Sequence, residues 1–227
     1  MKDCFGLVVI AITLLPGCTF NESVKVVADA EVLIELPEPR LMSEVSVEQA
    51  LKTRRSVREF LPQPLTLIEV SQLLWAAQGV TAYRSRTTPS AGGLYPLEVY
   101  LVVGDVEGLA AGVYRYVSKS HSVKQILEGD VRKSLSNAAY WQEWAGDGAI
   151  ALVFAGVYER TTKKYGQRGY RYVHMEAGHA AQNVYLQAEA LGLGTVIVGA
   201  FMDSWVKSVL HMSDEEQPLS IMPVGSK

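Results

Sequence analysis

The stretch from Arg171 to Gly194 constrains the fold of this chain more than any other. Val173, Ala177, Ala181, Val184, Ala188 and Leu191 recur at intervals of three and four, the period of an α-helix, and Gly192 and Gly194 end the pattern. One long helix is therefore predicted. Its only carboxylates are Glu176 and Glu189, and its middle reads Ala177-Gly178-His179-Ala180-Ala181, so another backbone can approach closely there. A helix so poor in charge is expected to be buried over most of its circumference. The residues after it, Thr195 to Phe201, read as a strand containing Gly199-Ala200, where small side chains would admit a flat ligand.

A chain of 227 residues, 48% hydrophobic and 20% charged, suits one globular domain with its own core. The net charge of −3 leaves no basic footprint for nucleic acid, so a bound anion must be held by a local group of cations. Residues 1–17 read as a targeting segment: Lys2 is the charged start, Leu7 to Leu15 the apolar run, and Leu15-Pro16-Gly17-Cys18 resembles a bacterial lipobox, with Cys18 as the lipidated residue. A plain secretory signal is the alternative; the run is too short for the ~20 residues of a membrane-spanning helix. Cys4 and Cys18 are the only cysteines, so cleavage before Cys18 leaves no disulfide and no cysteine metal site. The expected location is the cell envelope, with a lipid anchor on the extracytoplasmic face of a bacterial membrane.

Residues 18–46 read as an extended arm. Pro37 and Pro39 exclude helix, and Val32-Leu33-Ile34 is apolar enough to lie against a surface, a simple tether being the other reading. Residues 47–227 form the folded domain. Helices are expected at Val47–Thr53, at Leu65–Gly79 with Thr66 and Glu69 as a capping box, at Asp130–Ala139, and at Asp203–Leu210 capped by Asp203 or Ser204. Strands are expected at Leu97–Gly104, Gly112–Val117, Ala149–Tyr158 and Leu219–Val224. Helices and strands interleave without a regular βαβ rhythm, which points to an α+β fold.

Candidate chemistry begins at Arg54-Arg55-Ser56-Val57-Arg58-Glu59-Phe60. Three arginines and a hydroxyl within five positions offer bidentate donors to a phosphate, although an isolated run of this kind also suits a solvated basic patch. Pro89-Ser90-Ala91-Gly92-Gly93-Leu94-Tyr95-Pro96 is a glycine-rich loop leading into a strand, with backbone N–H groups available to a polar ring edge. His174 and His179 are five residues apart and face different ways, so no shared metal is expected; each would bond within its helix or to the backbone. Tyr170, Tyr172 and Trp141 suit either a substrate wall or the core.

Five blocks in one order, RRSVREF (54–60), PSAGGLYPLEVY (89–100), KYGQRGYR (164–171), EAGHAAQNVYLQAEALGLGT (176–195) and PVG (223–225), together resemble the nitroreductase-like FMN flavoprotein family, in particular its SagB-type dehydrogenase and oxidase group. The resemblance implies an α+β nitroreductase fold, a mostly antiparallel central sheet flanked by helices, and a homodimer joined along the long central helix with FMN at the interface. It assigns Arg54, Arg55 and Ser56 to the FMN phosphate and ribityl chain, and Arg58 to the pyrimidine edge, where a cation stabilises charge on the reduced flavin. It assigns Pro89, Ser90 and Ala91, from the partner chain, to the isoalloxazine ring, Gly199-Ala200 to the surroundings of N5, and Gln142 to the flavin's neighbourhood. Relatives place basic groups after the PVG, a role that falls here to Lys227.

The same resemblance implies hydride transfer through N5 by a ping-pong mechanism, from an NAD(P)H-type donor to a nitro- or quinone-like acceptor. Lys164-Tyr165 aligns with the pair that azoline oxidases are thought to use in proton abstraction, which implies azoline-to-azole dehydrogenation on a peptide-derived substrate as an alternative. Lys163-Lys164 as a solvated pair with Tyr165 packing the cofactor pocket is the structural reading of the same residues. A lipid-anchored flavin-binding subunit without turnover is a third possibility.

Overall fold

The computed structural model of the protein describes residues 25–26, 33–83 and 85–227. In chain order the elements are β1 (Lys25–Val26), β2 (Leu33–Glu35), α1 (Val47–Thr53), β3 (Leu65–Thr66), α2 (Leu67–Gln78), β4 (Val80–Ala82), β5 (Ser85–Arg86), β6 (Leu97–Val103), β7 (Val106–Glu107), β8 (Gly112–Val117) and β9 (Ser122–Glu128). They continue with α3 (Arg132–Ala138), α4 (Trp144–Asp147), β10 (Ile150–Val157), α5 (Glu159–Tyr165), α6 (Arg168–Ala190), β11 (Leu193–Thr195), α7 (Asp203–Leu210) and β12 (Glu216–Ser226). The targeting segment and Cys18 lie outside the described residues, as does most of the arm before Leu33.

The main sheet has the order β1-β9-β8-β6-β10-β12-β11, with β2 also paired to β9, and every pairing in it is antiparallel. Period-two alternation divides its side chains between two layers. Val99, Leu101, Val103, Ile150, Leu152 and Phe154 pack with α2 and α6 through Leu73, Leu74, Val173 and Val184. Tyr100, Val102, Ala151 and Val153 pack on the other side with Leu135, Val206 and Leu210. An α+β molecule results, with helices on both faces of one large sheet.

The capping box of α2 is present: Thr66 Oγ1 accepts from Glu69 N, and Glu69 accepts from Thr66 N at 2.7 Å. The arm docks on α2 and the β8–β9 hairpin. Gln72 and Arg40 exchange side-chain and backbone hydrogen bonds, while Pro37 O accepts from Ser71 Oγ and meets His121 Nε2.

Several sequence expectations change. The long helix starts at Arg168 and ends at Ala190. One stripe of it, with Arg171, His174, Met175, Gly178, His179 and Gln182, is exposed in the single chain. The strand expected at 195–201 instead spans Leu193–Thr195; beyond it only Val198 bridges to Ile221, because the Ile197 N–H leaves the ladder for the Tyr185 hydroxyl at 2.8 Å. The N-cap of α7 is Met202, with no side-chain cap, and Asp203 falls in the first turn. Strand β9 and helices α4 and α5 were not expected, and Lys163-Lys164 lies on α5.

Candidate active site

Two groups of side chains assemble at separate places along α6. The first is built on the segment after α1. Val57 N donates to Thr195 O and Leu61 N to Ser226 O, both at 2.9 Å, so Arg54 to Leu61 lies along the ends of β11 and β12. Two glycines permit this closeness: a Cβ on Gly194 would come within 2.7 Å of Val57, and one on Gly225 within 3.1 Å of Phe60. Ser56 Oγ then lies 3.2 Å from the Tyr185 hydroxyl, which also accepts from Ile197 N. Arg54 stacks over the Tyr185 ring at 5.0 Å and Arg58 over Trp144 at 5.2 Å.

Gln142 completes this rim. Its Nε2 donates to Ala139 O at 2.7 Å and to Ala200 O at 2.9 Å, which ties the α3–α4 connection to Gly199-Ala200. A Cβ on Gly199 would meet nothing within 4 Å. The structure thus gathers Arg54, Ser56, Arg58, Gln142, Gly199 and Ala200 along one rim. Tyr185 and Trp144, which link them, escaped the sequence reading.

Electrostatics favour an anion on this rim. Among the described residues none of Arg54, Arg55 and Arg58 forms an ion pair with a carboxylate; Arg55 donates only to the carbonyls of Lys52 and Arg54. Three guanidinium groups outside any direct ion pair among the described residues, beside an open glycine backbone on an acidic protein, fit a phosphate-bearing planar ligand. Lys227 is not free for that purpose, since its Nζ bonds Glu189 Oε2 at 2.6 Å. Burial would raise the Glu189 carboxyl, but hydrogen bonds from Lys227 and Thr53 and the charges of Lys227 and Arg55 outweigh it and hold the group below the usual range.

The second group surrounds the Pro89–Gly93 loop. Ser90 Oγ accepts from Tyr95 N at 2.9 Å, and Ala91–Gly93 form a 3₁₀ turn. Gly92 takes φ +65°, a conformation glycine adopts without strain, and a Cβ there would lie 2.7 Å from the Tyr165 hydroxyl and 2.9 Å from Lys164 Nζ. Lys164 and Tyr165 therefore meet the loop, with Tyr165 packed edge-on against Tyr172 at 5.1 Å. Behind the loop lies Glu176, which sequence reasoning noted only as one of two carboxylates in the helix.

The remaining aromatic and histidine candidates are placed differently. Tyr170 packs on Tyr158 at 4.8 Å and Trp141 on Trp205 at 6.2 Å. His174 bonds the Tyr158 hydroxyl at 2.6 Å rather than its own helix, while His179 is exposed. Among the described residues no group of three or more His, Cys, Asp or Glu side chains is positioned to hold a metal.

Known proteins share this fold. The model of the Nitroreductase family matches residues 51–226. A Methanocaldococcus jannaschii protein named as a nitroreductase is 51% identical over 195 residues, which cover 86% of this chain and 96% of that protein. The Microcin B17-processing protein McbC of Escherichia coli is 33% identical over 134 residues, 56% of this chain and 48% of McbC. Among solved structures, a Ralstonia eutropha protein also described as a nitroreductase superposes with a TM-score of 0.76 at 30% identity, over 88% of this chain and 92% of that one.

Proposed function

The chain belongs to the nitroreductase family of FMN-dependent oxidoreductases, and from that premise we propose that its complete active site forms when two copies pair along α6 and that it passes electrons from an NAD(P)H-type donor to a small nitro- or quinone-like acceptor. The observation that carries this reading is the rim of Arg54, Arg55 and Arg58, three guanidinium groups in no direct ion pair among the described residues, beside the bare Gly199-Ala200 backbone. When bound, FMN supplies a two-electron carrier that a donor and an acceptor meet in turn, a ping-pong cycle.

The protein groups have distinct tasks. Arg54, Arg55 and Ser56 would hold the phosphate and ribityl chain, and Arg58 would offer positive charge to the ring edge that becomes negative. Gln142, bonded to Ala200 O, fixes the direction of the Gly199-Ala200 backbone. Lys164 and Tyr165 stand at the Pro89–Gly93 loop, whose residues would close over the ring.

Pairing of two chains follows from spacing along α6. The rim gathers at Tyr185 and the loop at Glu176, nine residues away, or roughly 14 Å of helix. One chain alone holds the two groups apart. A two-fold pairing would set one chain's rim against the partner subunit's loop, with the exposed stripe through Gly178 as the contact.

Protein purified from Cys18 onward should be yellow, release FMN on denaturation, and bleach anaerobically with NADH or NADPH. Arg54→Ala should weaken FMN binding by roughly tenfold or more. A colourless preparation that takes up no added FMN would overturn the proposal.

A second reading, azoline dehydrogenation, is favoured by the juxtaposition of Lys164 Nζ and the Tyr165 hydroxyl at Gly92 and by the match to McbC. The chain spans about half of McbC's length. Lys164 would take a proton from one carbon of the azoline ring while the adjacent ring carbon gives up a hydride to the flavin, so that the double bond forms between the two carbons. On a thiazoline model substrate, Lys164→Ala should then lower the rate by about 10²–10⁴-fold, the usual contribution of a general base, while NADH-dependent reduction of acceptors persists. Equal losses in both assays would reject this role.

A further inference from the structure

A cavity of about 190 Å³ opens at the end of the sheet where β6 begins and β8 ends. It is lined by four cationic side chains, Arg86, Arg115, Lys119 and Arg160, and by one carboxylate, Glu98. Nothing in the flavin reading uses it.

Its charges are not balanced from within. Arg160 pairs with Glu98 at 2.5 Å, and Arg115 approaches the buried Glu216 at 3.8 Å. Arg86 has no such partner among the described residues. It is half-buried, donates to Gln78 Oε1 at 3.0 Å, and stacks 4.4 Å from the centre of the Tyr95 ring. Burial pulls its pKa down, the mark of a cation deprived of water without full compensation. The charges of Glu98 and of Glu176, on the far side of Gln78, offset that burial only in part, and Glu176 is itself pushed up to about 7 by burial, so that it is only about half ionised near neutrality.

We propose that this cavity is an anion site that takes the carboxylate or phosphate group of a small molecule, gripped between Arg86 and Arg160. Size sets the class of ligand, because pockets enclosing a drug-sized molecule run to about 300–1,000 Å³. The present cavity suits one anionic group or a compact dianion rather than a whole nucleotide. Its location gives the site a further relation to the chemistry. Arg160 donates to Tyr95 O at 3.3 Å, beside the Pro89–Gly93 loop, and precedes Lys164 by one turn of α5.

The test is calorimetric titration of the FMN-saturated protein with inorganic phosphate and, separately, with malonate, against sodium chloride of equal ionic strength. Saturation with FMN fills the Arg54 rim, so that a phosphate heat does not arise there. One saturable event per chain is expected; tighter phosphate marks a phosphate ester as ligand, tighter malonate a carboxylate. Arg86→Gln should weaken binding by about tenfold or more, the loss of a charge-assisted contact. Arg160→Gln, at a more exposed position, should weaken it without loss of the fold, which circular dichroism checks. Glu98→Gln removes the one carboxylate of the lining among the described residues and should tighten binding by about threefold. Absence of any event beyond chloride, or affinity unchanged in both Arg86→Gln and Arg160→Gln, overturns the proposal.

Discussion

Glu176 lies inside α6 with 2% of its surface exposed. Burial pushes its carboxyl from 4.5 up to about 7, although hydrogen bonds from Ser90 and Gln78 and the charge of Arg86 pull the other way. The folded protein thus keeps a proton that the unfolded chain loses above its ordinary value. This residue's contribution to stability is greatest below pH 4.5 and is lost as pH rises through about 7. The span amounts to roughly 3 kcal/mol. In Glu176→Gln that dependence disappears, so the stability of wild type minus variant, from urea midpoints at a series of pH values, should fall across this window; a level difference would contradict the burial argument. None of this was legible in the sequence, where Glu176 was one of two acids in a helical pattern. The hub at Tyr185 was equally hidden, since it joins Ser56, 129 positions away, to Ile197. The guanidinium run and the small residues near Gly199 were visible because they are contiguous.

Helices and strands with a clear period were read well. The period of α2 and its Thr66–Glu69 box, and the unbroken apolar run of β10, carry their own signals. Strand β9 was missed because Lys124 and Gln125 interrupt its alternation, and a register shift at Val113/Tyr114 displaces its pairing with β8. Helix α5, with Thr161-Thr162-Lys163-Lys164, has no apolar period to find. The seating of the arginine segment against β11 and β12 was also invisible, because it depends on two glycines meeting Val57 and Phe60. Gly194→Val should lift that segment, costing about 1–3 kcal/mol from overpacking and weakening FMN along with it. Thermal melting and flavin titration measure the two effects, and lost stability with full FMN affinity would separate the segment from the cofactor.

For the molecule as a whole, the exposed stripe of α6 has other uncovered apolar side chains on α6 itself and on α1, the helix packed against it. Met175 is 53% exposed, and Val47 and Leu51 of α1 are 63% and 54% exposed. Such surface is costly in a monomer and ordinary at an interface between chains. Gly178 offers a clean probe because a Cβ there meets nothing within 4 Å. Gly178→Glu should therefore leave a single chain's stability within about 0.5 kcal/mol, while light scattering falls from the mass of two chains to one and flavin content falls with it. A monomeric variant that retains FMN would show the flavin site to be complete in one chain.

The docked arm bears on how these molecules behave when crowded together. Leu33–Glu35 runs along Lys124–Ser122 and seals the flank of the sheet, where unsatisfied amides would otherwise face solvent. Stripping the arm would uncover a sticky seam, an invitation for neighbouring molecules to stitch themselves strand to strand into aggregates.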